Sequence, residues 1–215
     1  METLDKLVPK IRRSRGRPPK DEAGFNDTRE TLLRAGIEIL TEKGFSTTGI
    51  DEVLRRVAIP KGSFYHYFSS KEAFGGELIN RYAIYLAQRL DRFLLDDSLA
   101  PLQRLQAFLD DAQIAMARYD YKRGCMIGNL GQEMGALPEA YRARLTTVLN
   151  DWQTRVQHCL QAAQAAGEIS SETDCQKLAA YFWIGWEGAV LRAKLESNAS
   201  ALVIFSEYFF AGLAR

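Results

Sequence analysis

The sequence predicts an all-α protein of nine helices. Apolar residues recur at three- and four-residue spacing along most of the chain, whereas the alternation typical of strands is nearly absent. Glycines and prolines stand between the periodic segments, where helices end and begin. With 215 residues, 47% of them hydrophobic, the chain can form a sizeable core in one or two domains.

The helix boundaries follow from capping signals. The first helix is predicted from about Thr28 to Lys43, with Asp27 and Glu30 as a capping box and Gly44 as a left-handed stop. Thr47 or Thr48 is expected to cap the second helix. The helices after the first are predicted at about 49–57, 61–68, 70–95, 101–119, 124–135, 138–166, 174–197 and 199–214.

Residues 1–25 are predicted to form a flexible basic arm. They carry no apolar stripe, and between Lys6 and Lys20 there are seven basic residues and no acidic one. Because the whole chain has a net charge of only +1, this local charge favours an anionic partner that is met at one end. Arg15 and Arg17 stand in an Arg-Gly-Arg-Pro sequence, the core of an AT-hook whose arginines enter the minor groove. Plain electrostatic tethering is the alternative.

The helices at 49–57 and 61–68 have the dimensions of a helix-turn-helix. Its second helix would enter the major groove of double-stranded DNA by its N-terminal end. Phe64 and Phe68 are four residues apart and are predicted to fill the core beneath, which leaves their neighbours for DNA. The predicted DNA contacts are Arg15, Arg17, Thr47, Thr48, Lys61, Gly62, Ser63, Tyr65, His66, Tyr67 and Lys71.

The segment 28–74 resembles the DNA-binding domain of the TetR family of bacterial transcriptional regulators. Two positions depart from the usual pattern, Ala58 where glycine is common and Pro60 where a capping serine is common. The resemblance implies a homodimer that binds a palindromic operator, generally as a repressor, and pairs through its last two helices. It also implies a C-terminal pocket for a small-molecule effector that lowers DNA affinity. The matching residues are Ala35, Phe45, Thr47-Thr48, Ile50, Val57-Ala58, Lys61-Gly62-Ser63, Tyr65-His66-Tyr67-Phe68 and Ser70-Lys71-Glu72.

Three segments follow from this reading. They are the basic arm at 1–25, a helix-turn-helix domain at 26–74, and a sensing and dimerisation domain at 75–215. In the third segment Cys125 follows an arginine at a predicted helix start, and both features favour the thiolate. The alternative is that Cys125 is a small buried hydrophobe. Cys159 and Cys175 lie in or beside long helices and are predicted to be inert packing.

The sensing segment is similar to one subgroup of the family, the NemR and AcuR types, which answer reactive electrophiles and acrylate-derived compounds. The similarity rests on Gly124-Cys125-Met126 with Glu133, and on the segment 183–194. It implies sensing roles for Cys125 and Lys194. Core or interface packing is the alternative for the aromatic residues. The predicted ligand-sensing residues are Cys125, Trp183, Trp186, Lys194, Tyr119 and Glu133.

Several classes of protein are disfavoured by composition. Three widely spaced cysteines and two separated histidines predict no metal site and no cofactor. No apolar run is long enough to span a bilayer and no signal peptide is recognised, so a cytoplasmic protein without a membrane partner is predicted.

A cysteine-dependent enzyme would need a base beside Cys125, but His66 belongs to the DNA motif and His158 has no evident partner. We therefore predict that the protein is not an enzyme. A constitutive architectural DNA binder is a further alternative, which leaves the long helical half without a role.

Overall fold

The computed structural model describes residues 22–213, and these residues form helices without any strand. The predicted all-α class is confirmed, and eight α-helices with a 3₁₀ helix at Lys61–His66 correspond to the nine predicted helices. A second 3₁₀ helix, Met134–Ala136, ends the segment predicted at 124–135. Arg15 and Arg17 lie outside the described residues. The α-helices are α1 Glu22–Glu42, α2 Ile50–Arg56, α3 Lys71–Leu94, α4 Pro101–Ala117, α5 Met126–Gln132, α6 Glu139–Ala165, α7 Cys175–Glu196 and α8 Ser200–Ala211.

The two ends of α1 differ from the prediction. The helix already begins at Glu22, so Asp27 lies inside it, and the Asp27 carbonyl accepts a hydrogen bond from the Thr31 hydroxyl at 2.7 Å. The predicted capping box is therefore wrong. Gly44 is not left-handed either, since Gly167 is the only described glycine with a positive φ. Glycine is favoured at position 44 for another reason, because a Cβ there would overlap the carboxylate of Glu133.

The threonines before α2 do not cap it. The hydroxyls of Thr47 and Thr48 donate back to the carbonyl of Gly44, at 3.2 and 2.7 Å, and the N-cap residue is Gly49. These bonds close the turn that follows α1 instead of starting α2.

The turn of the helix-turn-helix is left-handed at Ala58, where φ is 53°. A left-handed residue with a Cβ costs about 1–2 kcal/mol, which explains why glycine is common at this position in the family that the segment resembles. The helix that follows is 3₁₀ rather than α, and its first bond runs from Ser63 N–H to the Pro60 carbonyl at 2.9 Å. A 3₁₀ segment is a tight, short element.

Aromatic side chains form the small core under the helix-turn-helix. Phe64 and Phe68 are buried as predicted, and both pack against Phe74 of α3 with ring centroids 5.3 and 4.7 Å away. Because α3 continues into the larger helical half, this contact ties the 3₁₀ helix to that half. The N-cap of α3 is Ser70, whose hydroxyl accepts a hydrogen bond from Ala73 N–H at 3.0 Å.

The larger half is built around α6, which packs on α3, α4 and α7, while α7 also packs on α8. Trp152 of α6 is fully buried, and its ring lies 5.3 Å from that of Trp183 on α7. The left-handed Gly167 ends α6 as predicted. Within residues 22–213, no helix combines the length and apolar character needed to cross a bilayer.

Candidate DNA interface and effector cavity

The 3₁₀ helix presents one face to solvent and the other to the core. Phe64 is fully buried, whereas Lys61, Gly62, Tyr65 and His66 are exposed, Tyr65 to 65%. Nothing lies within 4 Å of the position that a Gly62 Cβ would occupy, so packing within the chain does not require a glycine there. An outside partner that approaches the backbone would require it.

Lys61 is held by a single exposed ion pair, with its Nζ 2.8 Å from Asp51 Oδ2 on α2. Exposed pairs of this kind contribute little to stability. The ammonium can therefore exchange this carboxylate for a phosphate at little cost. The pair also aligns the Lys61 side chain along α2.

The other predicted DNA contacts vary in exposure. Thr47 is exposed and Thr48 is buried, so only Thr47 presents its side chain to solvent. Lys71 is half-buried, donates to the Phe45 carbonyl at 2.9 Å and lies over the Phe45 ring. Ser63 and Tyr67 are also half-buried. Their contacts with DNA stay predictions.

A cavity of about 230 Å³ lies between α1, α3, α4, α7 and the segment before α5. This volume suits a small molecule rather than a drug-sized one. Four of the six predicted sensing residues lie in its wall, namely Cys125, Tyr119, Trp183 and Trp186. Six aromatic residues line the wall, namely Tyr82, Tyr85, Phe108, Tyr119, Trp183 and Trp186.

The other two predicted sensing residues contact the DNA-binding part of the chain instead. The Glu133 carboxylate accepts from both the backbone N–H and the hydroxyl of Ser46, at 3.0 and 3.2 Å, in the link between α1 and α2. Lys194 Nζ donates to the carbonyls of Thr41 and Glu42, both at 3.3 Å. Neither residue lines the cavity.

The C-terminal end of α1 is held by hydrogen-bond donors from the larger half, and we call this contact the α1 junction. The last carbonyls of a helix lack partners within it. Here Asn129 Nδ2 donates to the Leu40 carbonyl at 2.7 Å, and Gly124 N–H donates to the Thr41 carbonyl at 3.0 Å. Lys194 completes the junction and also donates to Asn129 Oδ1 at 3.1 Å.

Two glutamates of α1 connect the cavity wall to the helix-turn-helix. The Arg123 guanidinium stacks on Tyr119 and pairs with Glu42 at 2.9 Å and Glu38 at 3.3 Å. Arg56, on α2, pairs with the same carboxylates at 3.2 and 3.6 Å. Sequence reasoning missed this cluster. Its signal was a like-charged i, i+4 pair, which destabilises a helix unless cations lie nearby.

The predicted thiolate at Cys125 is wrong. The guanidinium of Arg123 turns to α1, and the charged group with the largest effect on the thiol is Glu187 of α7. Burial, and next the negative charge of Glu187, raise the pKa of Cys125 well above its ordinary value. The Sγ atom does accept a hydrogen bond from the helix N-terminus, from Gly128 N–H at 3.4 Å, but this bond changes the pKa less than burial and Glu187 do.

We expect Cys125 to react slowly with iodoacetamide at pH 7. The thiolate is the nucleophile, and its fraction falls roughly tenfold for each unit by which the pKa rises. Residue-resolved mass spectrometry should show modification at least about tenfold slower than in the same chain unfolded in urea. Equal rates in the folded and unfolded chains would contradict the raised pKa.

A helix-turn-helix joined to a helical body that contains a pocket is the architecture of a DNA-binding transcriptional regulator. Residues 32–78 match the model of bacterial regulatory proteins of the tetR family. Residues 101–209 match the tetracyclin repressor-like C-terminal domain. The chain therefore belongs to the TetR family, a class of regulators rather than of enzymes.

Two curated relatives and one solved structure refine this assignment. The chain is 51% identical to the transcriptional regulator AcuR of Cereibacter sphaeroides over 201 residues, 94% of this chain and 90% of that protein. It is 28% identical to the repressor NemR of Escherichia coli K12 over 82% of this chain and 89% of that one. A crystal structure of regulatory protein TetR from Rhodobacter sphaeroides has a TM-score of 0.83 and 53% identity, covering 85% of this chain and 96% of that one. The predicted NemR and AcuR subgroup is confirmed.

Proposed function

We propose that the protein is a homodimeric repressor that a small molecule, bound in the cavity, releases from a palindromic operator. The observation that carries this proposal is the shared use of α1. Ile37, Glu38 and Thr41 of α1 line the cavity. The same helix pairs with Arg56 of α2 and accepts hydrogen bonds from the larger half at the α1 junction. A ligand that displaces this wall displaces the support of the helix-turn-helix.

Release is a shift between two populations of the dimer. The operator selects a state in which the two reading helices match successive major grooves, and the ligand selects another state. Coupling free energies of about 1–3 kcal/mol are typical and correspond to a loss of roughly 5–150-fold in operator affinity. Arg123 is the natural relay, because it contacts Tyr119 of the cavity wall and the two glutamates of α1.

The exposed face of α7 and α8 supports the dimer. Tyr181, Ile184, Ile204 and Tyr208 are all more than half exposed, in contrast to the polar surface expected of an isolated helix pair. Gly185 and Gly188 lie beside them on a shallow groove. A two-fold axis would pair this face with itself into a four-helix interface.

Two kinds of effector are compatible with the subgroup, an electrophile and a carboxylate. The raised pKa of Cys125 favours reversible binding, because little thiolate is present to attack an electrophile. Electrophilic modification would need a base at Cys125, and Glu187 is the only carboxyl group of the cavity that interacts with this thiol within the described chain.

A mobility-shift assay tests the proposed function. DNA upstream of the protein's own coding gene is titrated with the full chain, with and without acrylate, propionate and acrylamide. Acrylate is an anion and an electrophile, propionate is only an anion, and acrylamide is only an electrophile. Release by at least one compound supports a ligand-responsive repressor. Tight binding that no small molecule alters would favour the constitutive architectural binder.

Lys194→Met is expected to uncouple the cavity from DNA. The variant keeps the aliphatic stem and removes the donors to Thr41, Glu42 and Asn129, so α1 can move independently of α7. We expect the effector-induced change in operator affinity to fall from roughly 5–150-fold to below about twofold. A lost charged hydrogen bond should also lower the free energy of unfolding by about 1.5–3 kcal/mol.

Lys177→Met is the matched control, since Lys177 lies on the same helix with 87% of its side chain exposed. It should keep the full effector response in the same titration. An unchanged response in Lys194→Met would exclude the α1 junction as the coupling route.

A further inference from the structure

Among the described residues, Glu187 is a cavity carboxyl group that forms no ion pair. It interacts with the Cys125 thiol, and the basic groups nearby are held elsewhere: Arg89 by Asp111, and Arg123 and Lys194 by α1. The α4 residues of the wall, such as Phe108 and Met116, are apolar. The titratable and charged groups around this cavity are Glu38 on α1, Tyr82, Tyr85 and Arg89 on α3, Tyr119 after α4, Arg123 and Cys125 before α5, and Glu187 itself on α7.

One of the described donors in this wall is buried without an acceptor. Trp183 is buried, and its Nε1–H has no acceptor in the described part of the chain. Trp183 and Glu187 are four residues apart on α7, so they share a face of the helix. Arg89 Nη2 is ion-paired with Asp111 Oδ2 at 2.6 Å, so the Trp183 indole is the donor of this wall that lacks an acceptor in the described part of the chain. Unsatisfied buried donors require an acceptor, and the ligand is the group that can supply one.

A carboxyl group in these surroundings favours its neutral form. Burial disfavours the charged state, and no cation offsets that effect here. Burial is the main cause that raises the pKa of Glu187 to about 7. The protonated group has an O–H to donate, like Trp183 beside it.

We infer that Glu187 is a specificity-determining residue that binds the effector as a neutral acid, so that an anionic effector enters the cavity together with one proton. The inference rests on the proposed function, because it concerns the ligand of the same cavity. A ligand carboxylate accepts from the Glu187 hydroxyl and from the Trp183 indole. An ionised Glu187 would repel it, since two carboxylates in one site cannot both stay charged. A cationic ligand would leave the Trp183 donor without a partner.

The sign of the pH dependence follows. Only protein with protonated Glu187 binds an anion, and this fraction is nearly constant well below pH 7. Above pH 7 it falls roughly tenfold per pH unit. The Kd of an anionic ligand should therefore be flat at low pH and rise with pH above 7. An uncharged ligand should show no such rise.

The test uses propionate and propionamide, which have the same size and cannot alkylate Cys125. Isothermal titration calorimetry on the full chain, from pH 6 to pH 9, gives the Kd and, in buffers of different ionisation enthalpy, the number of protons taken up. We expect the propionate Kd to rise roughly tenfold per unit above pH 7, with nearly one proton taken up. The propionamide Kd should stay within about twofold.

Glu187→Gln separates this role from a structural one. Glutamine has the same shape and a donor that never ionises, so the variant should bind propionate with a Kd that no longer changes with pH. Glu172→Gln, an exposed carboxylate before α7, should keep the wild-type pH profile. A profile that Glu187→Gln leaves unchanged overturns the inference. So does a preference for propylamine, or no binding of propionate at any pH.

Failure here is distinguishable from failure of the proposed function. Calorimetry needs no operator, so it reports on Glu187 directly. If propionate fails while another small molecule still releases operator DNA, the regulator assignment stands and only the role of Glu187 is lost.

Discussion

Replacing Lys61 and Tyr65 together with alanine is expected to weaken operator binding by roughly three orders of magnitude. Both side chains are exposed at the start of the reading helix, and neither supports the core. In a dimer two contacts are lost per protomer, four in all, and at about 1 kcal/mol each they amount to about 4 kcal/mol. Loss of two lysine–phosphate contacts should also reduce the salt slope of binding by about two.

Fluorescence anisotropy with labelled operator at several salt concentrations measures both quantities. Lys122→Ala, which removes an equally exposed charge from the loop before α5, is the matched control and should leave operator binding unchanged. Wild-type affinity in the double variant would mean that the 3₁₀ helix does not read the DNA.

Ile184→Arg is expected to separate the dimer. Ile184 is 76% exposed on α7, about one turn from the exposed Tyr181 of the apolar face formed with α8. A two-fold interface places the new arginine opposite its own copy, so two like charges would be buried together. We expect a monomer by analytical ultracentrifugation at micromolar concentration, and a fall in operator affinity of at least about 100-fold because each half-site is then bound alone.

Ile84→Arg is the corresponding control. Ile84 is also exposed, but it lies on α3 and not on the apolar face of α7 and α8. It should remain a dimer. If Ile184→Arg stays dimeric and binds operator normally, the protomers associate through another surface.

Much of the DNA-binding half was predictable because its signals are local. The preset φ of Pro60 and the four-residue spacing of Phe64 and Phe68 both act within a few residues. The errors were also local, since neighbouring candidates compete. Thr47 and Thr48 bond back to Gly44 instead of capping α2, and α1 continues past Asp27.

The sensing half was less predictable, because its chemistry depends on residues far apart in the chain. Arg123 is two residues from Cys125 in sequence, but its guanidinium pairs with Glu38 and Glu42. Glu187, which raises the pKa of the Cys125 thiol, is remote in sequence. No periodicity or spacing reveals such a pairing, which arises only when the fold places α7 and the segment before α5 in one cavity wall.

Lys194 also has partners that are far from it in the chain. The subgroup resemblance implied a sensing role for it, whereas its ammonium donates to the carbonyls at the end of α1. The residue was found through the subgroup resemblance, and its partners emerged only from the packing.

The most direct test of the coupling between cavity and operator is the affinity of one ligand for two forms of the protein. Binding free energies are reciprocal, so a ligand that weakens operator binding must itself bind more weakly to the operator complex by the same factor. Calorimetric titration of a releasing compound into free and operator-saturated dimer measures this factor. We expect the Kd to be roughly 5–150-fold higher in the complex. Equal Kd values would contradict the account.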